Sequence, residues 1–125
     1  MNKYRSRKTV VNGIKFASKL EADRYMQLRM MMATEPPLIC DLVLQPEFQI
    51  FHGYVDPDTG EKVRSKYYVA DFQYTDVIEH KVIVEDTKGV ETDVFRLKWD
   101  VVKKKYPEFE FRKLTKKECN AWIPQ

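Results

Sequence analysis

The sequence predicts an α/β fold, a mixed central β-sheet flanked by helices. Three observations carry that expectation. First, the β-branched run Val82-Ile83-Val84, the amphipathic stretch Thr92–Lys105 and the alternating Phe109 and Phe111 read as strand, helix, strand. Such a unit implies a right-handed crossover between parallel strands. Second, strand candidates joined by short, turn-rich segments come before it, so part of the sheet is antiparallel. Third, Ser18-Lys19-Leu20-Glu21 and Thr115-Lys116-Lys117-Glu118 match capping boxes that open further helices.

In chain order, Lys8–Phe16 reads as a short hairpin turning at Asn12-Gly13, a pair that tolerates the positive φ angles of a two-residue turn. Ser18 then caps a helix running to about Ala33, which Pro36-Pro37 ends. Strands are expected at Asp41–Leu44, Glu47–Phe51 and Val63–Tyr74, with Asp56-Pro57-Asp58-Thr59-Gly60 as the turn between the last two. Another strand, Lys81–Lys88, stops at Gly89. The helix over Thr92–Lys105 carries Val94, Leu97 and Val101 on one side, with Phe95, Trp99 and Val102 adjoining, and Pro107 marks its end. Glu108–Lys113 is the last strand, followed by a short helix from Thr115. The 125 residues suit one domain, 1–125, with a basic N-terminal tail over about residues 1–8.

Composition narrows the function classes. Hydrophobic residues make up 43% and aromatics 13%, enough for a packed interior. The apolar runs are far shorter than the roughly 20 residues that span a bilayer, so no membrane partner is expected. The basic N-terminus has no apolar run behind it and does not read as a signal peptide. Cys40 and Cys119 stand far apart with no CxxC pattern, which fits reduced thiols in a cytoplasmic protein. The net charge of +3 is unevenly spread. Residues 30–61 hold six acids and no Lys or Arg, leaving 22 bases against 13 acids (19 less those six) elsewhere. Basic clusters at Lys3–Lys8, Arg96–Lys105 and Arg112–Lys117 suit either a polyphosphate partner or solvated surface.

One constellation can carry chemistry. Alternation along a strand puts Asp86 and Lys88 on one face, with Glu85 and Thr87 opposite. Asp71 lies near the end of the preceding strand candidate, joined to Lys81–Lys88 by a short connection. Two carboxylates and a lysine would then meet at one edge of the sheet. Phosphodiester hydrolysis calls for that set: a divalent cation to neutralise the phosphate and activate water, and a fixed positive group beside it. Mg²⁺ is held by one or two carboxylates plus waters, and the Thr87 carbonyl would add a ligand. A surface salt bridge is the plainer reading of Asp-x-Lys. Glu21 heads the core-facing stripe of the first helix with Tyr25, Leu28 and Met32; periodicity leaves metal ligation and simple capping equally open.

With these residues in place the chain resembles the PD-(D/E)XK nuclease superfamily. More narrowly, it resembles short phage- and prophage-encoded proteins related to Holliday-junction resolvases and phage endonuclease I. The segments that carry the likeness are residues 13–22 (GIKFASKLEA), 44–48 (LQPEF), 68–74 (YVADFQY), 84–89 (VEDTKG) and 92–98 (TDVFRLK), within about residues 8–113. The resemblance implies a restriction-endonuclease-like core, a Mg²⁺ or Mn²⁺ cofactor, ligation by Asp71 and Asp86, assistance from Glu21, and a catalytic Lys88. It implies branched or junction DNA as substrate and a homodimer. Two departures stand out: Ala70 replaces the motif's proline, and Asp86 replaces the commoner glutamate. Glu85 and Gln45 are candidates for shaping the site, Gln45 with a backbone-capping role as the competing reading. Lys3, Arg5, Arg7, Lys8, Thr92, Arg96 and Lys98 are candidates for contacting DNA. Tyr67, Tyr68 and Phe72 read as strand-face aromatics, and His52 and His80 have no partners at catalytic spacing. A non-catalytic basic module that coats DNA is the alternative function.

Overall fold

The computed structural model describes residues 8–88 and 90–121. Lys3, Arg5 and Arg7 lie outside them, as does Gly89. The elements are β1 (Thr9–Val11), β2 (Ile14–Phe16), α1 (Lys19–Ala33), β3 (Ile39–Leu44), β4 (Glu47–Phe51), β5 (Tyr54–Val55), β6 (Lys62–Val63), β7 (Lys66–Val69), β8 (Phe72–Asp76), β9 (Lys81–Thr87), α2 (Asp93–Lys105), β10 (Phe109–Leu114) and α3 (Lys116–Ala121).

A four-stranded mixed sheet, ordered β10-β9-β8-β3, forms the centre. β9 and β10 run parallel with α2 as their crossover, while β8 pairs antiparallel with both β9 and β3. The fold class is therefore the α/β arrangement expected from the strand–helix–strand unit. Asn12 and Gly13 adopt φ of 51° and 77°, which closes the β1–β2 hairpin. The Ser18 hydroxyl accepts the Glu21 amide at 3.1 Å and starts α1; Thr92 does the same for Phe95 and starts α2.

The strand expected over Val63–Tyr74 is instead three strands, and the reason lies in its partner. Pro46 has no N–H to give to a ladder. Gln45 turns into the left-handed region at φ 51°, and the β3–β4 side bends there. The opposite side breaks at Ala70-Asp71, where Gln45 N–H donates to the Asp71 carbonyl (2.9 Å) and Ala70 N–H to the Pro46 carbonyl (3.1 Å). The result is one long bent hairpin: β3–β8 joins the main sheet, and β4–β7 continues as a separate ribbon. Asp71 thus stands at the bend, just before β8.

Two apolar clusters sandwich the sheet. On one face α1 and β1–β2 pack Phe16, Tyr25, Leu28, Phe72, Tyr74 and Ile83. On the other, α2 packs Phe95, Trp99 and Val102 against Phe48, Tyr68, Val84 and Phe111. The helix therefore buries its aromatic side, leaving Val94 and Leu97 63% and 67% exposed. The larger rings remove more apolar area from water, so they win the inward face.

Candidate active site

β8–β9 register builds the site. Phe72 lies opposite Glu85 and Gln73 opposite Val84, so one step beyond the ladder Asp71 faces Asp86. Residues directly opposed in an antiparallel pair share a face. The two carboxyl groups are within hydrogen-bonding reach of one another. Each has one oxygen held by the protein: Thr87 donates to Asp71 Oδ2 through both its amide (2.8 Å) and its hydroxyl (2.8 Å), and the Tyr68 hydroxyl donates to Asp86 Oδ2. The Lys88 ammonium lies 3.4 Å from Asp86 Oδ1 and 4.2 Å from the centre of the Phe95 ring.

Glu21 stands beside the pair. It lines, with Asp71 and Gln45, a cleft of about 150 Å³. It is 6% exposed, and Asp86 is 2% exposed. Burial, then the Asp71 charge, raises the Glu21 carboxyl to about 7; the Ala17 backbone and Lys88 pull the other way. Asp86 is likewise raised to about 7, by burial first, then by the charge and hydrogen bond of Asp71, against Tyr68 and Lys88. Crowded carboxyls with too little compensating charge share protons or hold a cation. Among the described residues, no three His, Cys, Asp or Glu side chains cluster at metal-ligand spacing. The donor set at the end of β9 is a carboxylate pair. All-oxygen donors, two of them carboxylates, suit a hard cation such as Mg²⁺ or Mn²⁺ that keeps much of its water shell.

The chain belongs to the DUF1064 family. The family model, described as a protein of unknown function, matches residues 1–119. No curated protein and no solved structure matches this chain.

In this DUF1064 chain several of the expected site residues have other partners. Glu85 faces away from Asp86, toward α1. Its Oε1 and Oε2 accept from Arg24 Nε (2.8 Å) and Nη2 (2.6 Å), and Tyr74 donates to Oε2. A carboxylate bound on three sides is not a substitute ligand for its neighbour; it ties β9 to α1. Thr87 acts through its hydroxyl and amide on Asp71. Gln45 contributes its amide to the Asp71 carbonyl and borders the cleft. Lys98 reaches back to the Tyr67 carbonyl at 3.1 Å, and the Thr92 hydroxyl caps α2. Arg96 is exposed beside Glu91 and Asp93, and Lys8 is exposed at the start of β1.

Two residues escaped sequence reasoning, one in the site and one beside it. Tyr68 is 3% exposed, and its ring packs near Phe95 and Trp99 while its hydroxyl meets Asp86. A buried tyrosine must place its O–H, and one three positions before Asp71 is a clue of that kind. Lys113 is the other: β10 puts it in register with Asp86. Among the described residues, no helix is long and apolar enough to cross a membrane.

Proposed function

We propose that this chain is a divalent-metal-dependent DNA endonuclease. The observation that carries this reading is the meeting of Asp71 and Asp86, each held by a hydroxyl donor, with Lys88 3.4 Å from the second carboxylate. Thr87 and Tyr68 each occupy one oxygen of their carboxylate, so the remaining oxygens are fixed in orientation and would be the ones offered to a shared cation. Asp71 and Asp86 would hold Mg²⁺ or Mn²⁺, with Glu21 on the same cleft. Such an ion neutralises a phosphate and makes bound water acidic enough to attack it.

The protein's own groups supply the rest. Lys88 keeps a positive charge at the rim of the carboxylate pair, where negative charge grows on a phosphate in the transition state. Its position over Phe95 holds the ammonium without neutralising it. Glu21, raised to about 7 by burial and the Asp71 charge, borders the same cleft, and a cation bound there would favour its ionised form. The likeness to Holliday-junction resolvases and phage endonuclease I points to branched DNA, to a twofold homodimer cutting two strands symmetrically, and to the cytoplasm of a phage host.

The test uses the purified protein with linear, nicked, forked and four-way-junction DNA, with and without Mg²⁺ or Mn²⁺. Metal-dependent cutting is expected, lost in Asp86→Asn and Lys88→Ala while DNA binding persists. No cutting of any substrate, or undiminished cutting by Asp86→Asn, would overturn the nuclease reading. Equal cutting of every substrate would remove only the branch preference.

A further inference from the structure

Beyond the carboxylate pair lies a second cleft, about 290 Å³, between the ends of β9 and β10, the start of α2 and the first turn of α3, where Thr115 and Glu118 also line it. Lys88 forms the wall it shares with the proposed active site. Lys113, level with Asp86 on the neighbouring strand, places its ammonium 5.8 Å from the Phe95 ring and 5.5 Å from the Trp99 ring. Lys88 lies over that same Phe95 ring at 4.2 Å. One aromatic side chain therefore spaces two lysines, and the cleft begins where the carboxylate site ends.

The chain already holds an anion there. Glu91 places Oε1 2.7 Å from Lys113 Nζ and Oε2 3.8 Å from Arg96 Nε. Lys113 is the main partner that keeps this carboxyl below its usual range, with Arg96 and Lys88 adding to it. Two oxygens shared between an ammonium and a guanidinium are also how a phosphodiester binds such a pair. The pair is replaceable, because the Glu91 and Lys113 side chains are 30% and 38% exposed. A partly exposed ion pair is weak and screened by salt, whereas a DNA phosphate gains further from counterion release.

We propose that Lys113 and Arg96 seat a DNA backbone phosphate adjoining the one beside Lys88, and that Glu91 fills this seat until DNA displaces it. This rests on the nuclease reading above and names the substrate group next to the same site. Glu91 then acts as a built-in competitor: it lowers affinity for DNA in general and lets go only where the backbone reaches both cationic side chains.

The experiment measures binding of a labelled duplex and a labelled four-way junction to the full chain by fluorescence anisotropy in EDTA, across a salt series. Lys113→Ala is expected to weaken binding several-fold on both DNAs and to lower the slope of log affinity against log salt by about 0.9, the value for one phosphate contact. Glu91→Gln is expected to tighten binding several-fold, and that gain should vanish when Lys113→Ala is added. Circular dichroism checks that each variant is folded; Lys113→Gln, which keeps the aliphatic stem on the rings, replaces the alanine variant if that one is not. Wild-type affinity and slope in the Lys113 variants, with metal-dependent cutting intact, would overturn this seat and leave the nuclease standing. A Glu91→Gln gain that survives the loss of Lys113 would also overturn it. A wild-type chain that binds no DNA would remove both.

Discussion

Arg24→Met tests the joint between α1 and the sheet. Arg24 and Glu85 are 6% and 0% exposed, and two of the Arg24 nitrogens donate to the two Glu85 oxygens at 2.8 and 2.6 Å. Methionine keeps much of the side-chain volume but leaves buried Glu85 without its guanidinium partner, with Tyr74 still donating to it. Breaking a buried pair from one side costs about 3–5 kcal/mol, a large part of a small domain's stability of roughly 5–15 kcal/mol. At about 4 °C per kcal/mol for a chain of this size, the melting temperature should fall by roughly 12–20 °C. The double variant Arg24→Met/Glu85→Leu removes both charges and should recover at least half of that loss, because no ion is then stranded. Urea unfolding followed by circular dichroism gives the free energies, and calorimetry gives the temperatures. A single variant that loses less than about 1 kcal/mol, or a double variant less stable than the single, would refute the reasoning.

Three further outcomes are expected. Tyr68→Phe keeps the ring against Trp99 but removes the donor to Asp86; cutting should drop about 10- to 100-fold and need more Mn²⁺, as loss of a ligand-orienting group does, and an unchanged metal requirement would count against it. Glu21 and Asp86, ordinarily 4.5 and 3.8, both stand near 7 when folded, so the folded chain holds more protons than the unfolded one between about pH 4 and 7. Their stabilisation is complete below pH 4 and is lost as pH rises through 7; thermal melts should show it, with Mg²⁺ restoring stability more at pH 8 than at pH 5, and a Glu21→Gln/Asp86→Asn variant with an equally steep pH profile would contradict it. Gly53→Ala would set a Cβ 2.8 Å from the Val63 carbonyl oxygen and 2.9 Å from the Ser65 nitrogen, costing about 1–3 kcal/mol by urea unfolding and easing protease cleavage at residues 56–61; unchanged unfolding and cleavage would show that the chain absorbs the extra atom.

Much of the fold could be read locally. Ser18 and Thr115 announce their helices because a cap works over three residues, and Asn12-Gly13 announces its hairpin because few other pairs accept two positive φ angles. Alternation along β9 was enough to separate Asp86 from Glu85. Features set by pairing between distant segments were harder to read. The break at Ala70-Asp71 is imposed by Gln45-Pro46 across the hairpin, and nothing within Val63–Tyr74 announces it. Arg24 and Glu85 are 61 positions apart, so neither predicts the other. Along α2 the apolar positions offered two adjoining faces, and only the packing against Phe48 and Phe111 chose between them. Lys113 escaped because its nearness to Asp86 depends on the parallel register of β10.

Consecutive residues of β9 serve opposite sides of the molecule: Glu85 anchors a helix and Asp86 joins the carboxylate pair. A side-chain period of two makes such a strand intolerant of frame errors. Removing one residue from the β8–β9 turn, between Asp76 and Lys81, would invite the strand to slide by a single position. Glu85 would then look toward Tyr68 and Asp86 toward Arg24, exchanging the helix anchor and the paired carboxylate in one move. Length variation in this protein is therefore better tolerated in the Asp56–Glu61 loop, which hangs from the far end of the bent hairpin, than in the tight link that sets the phase of β9.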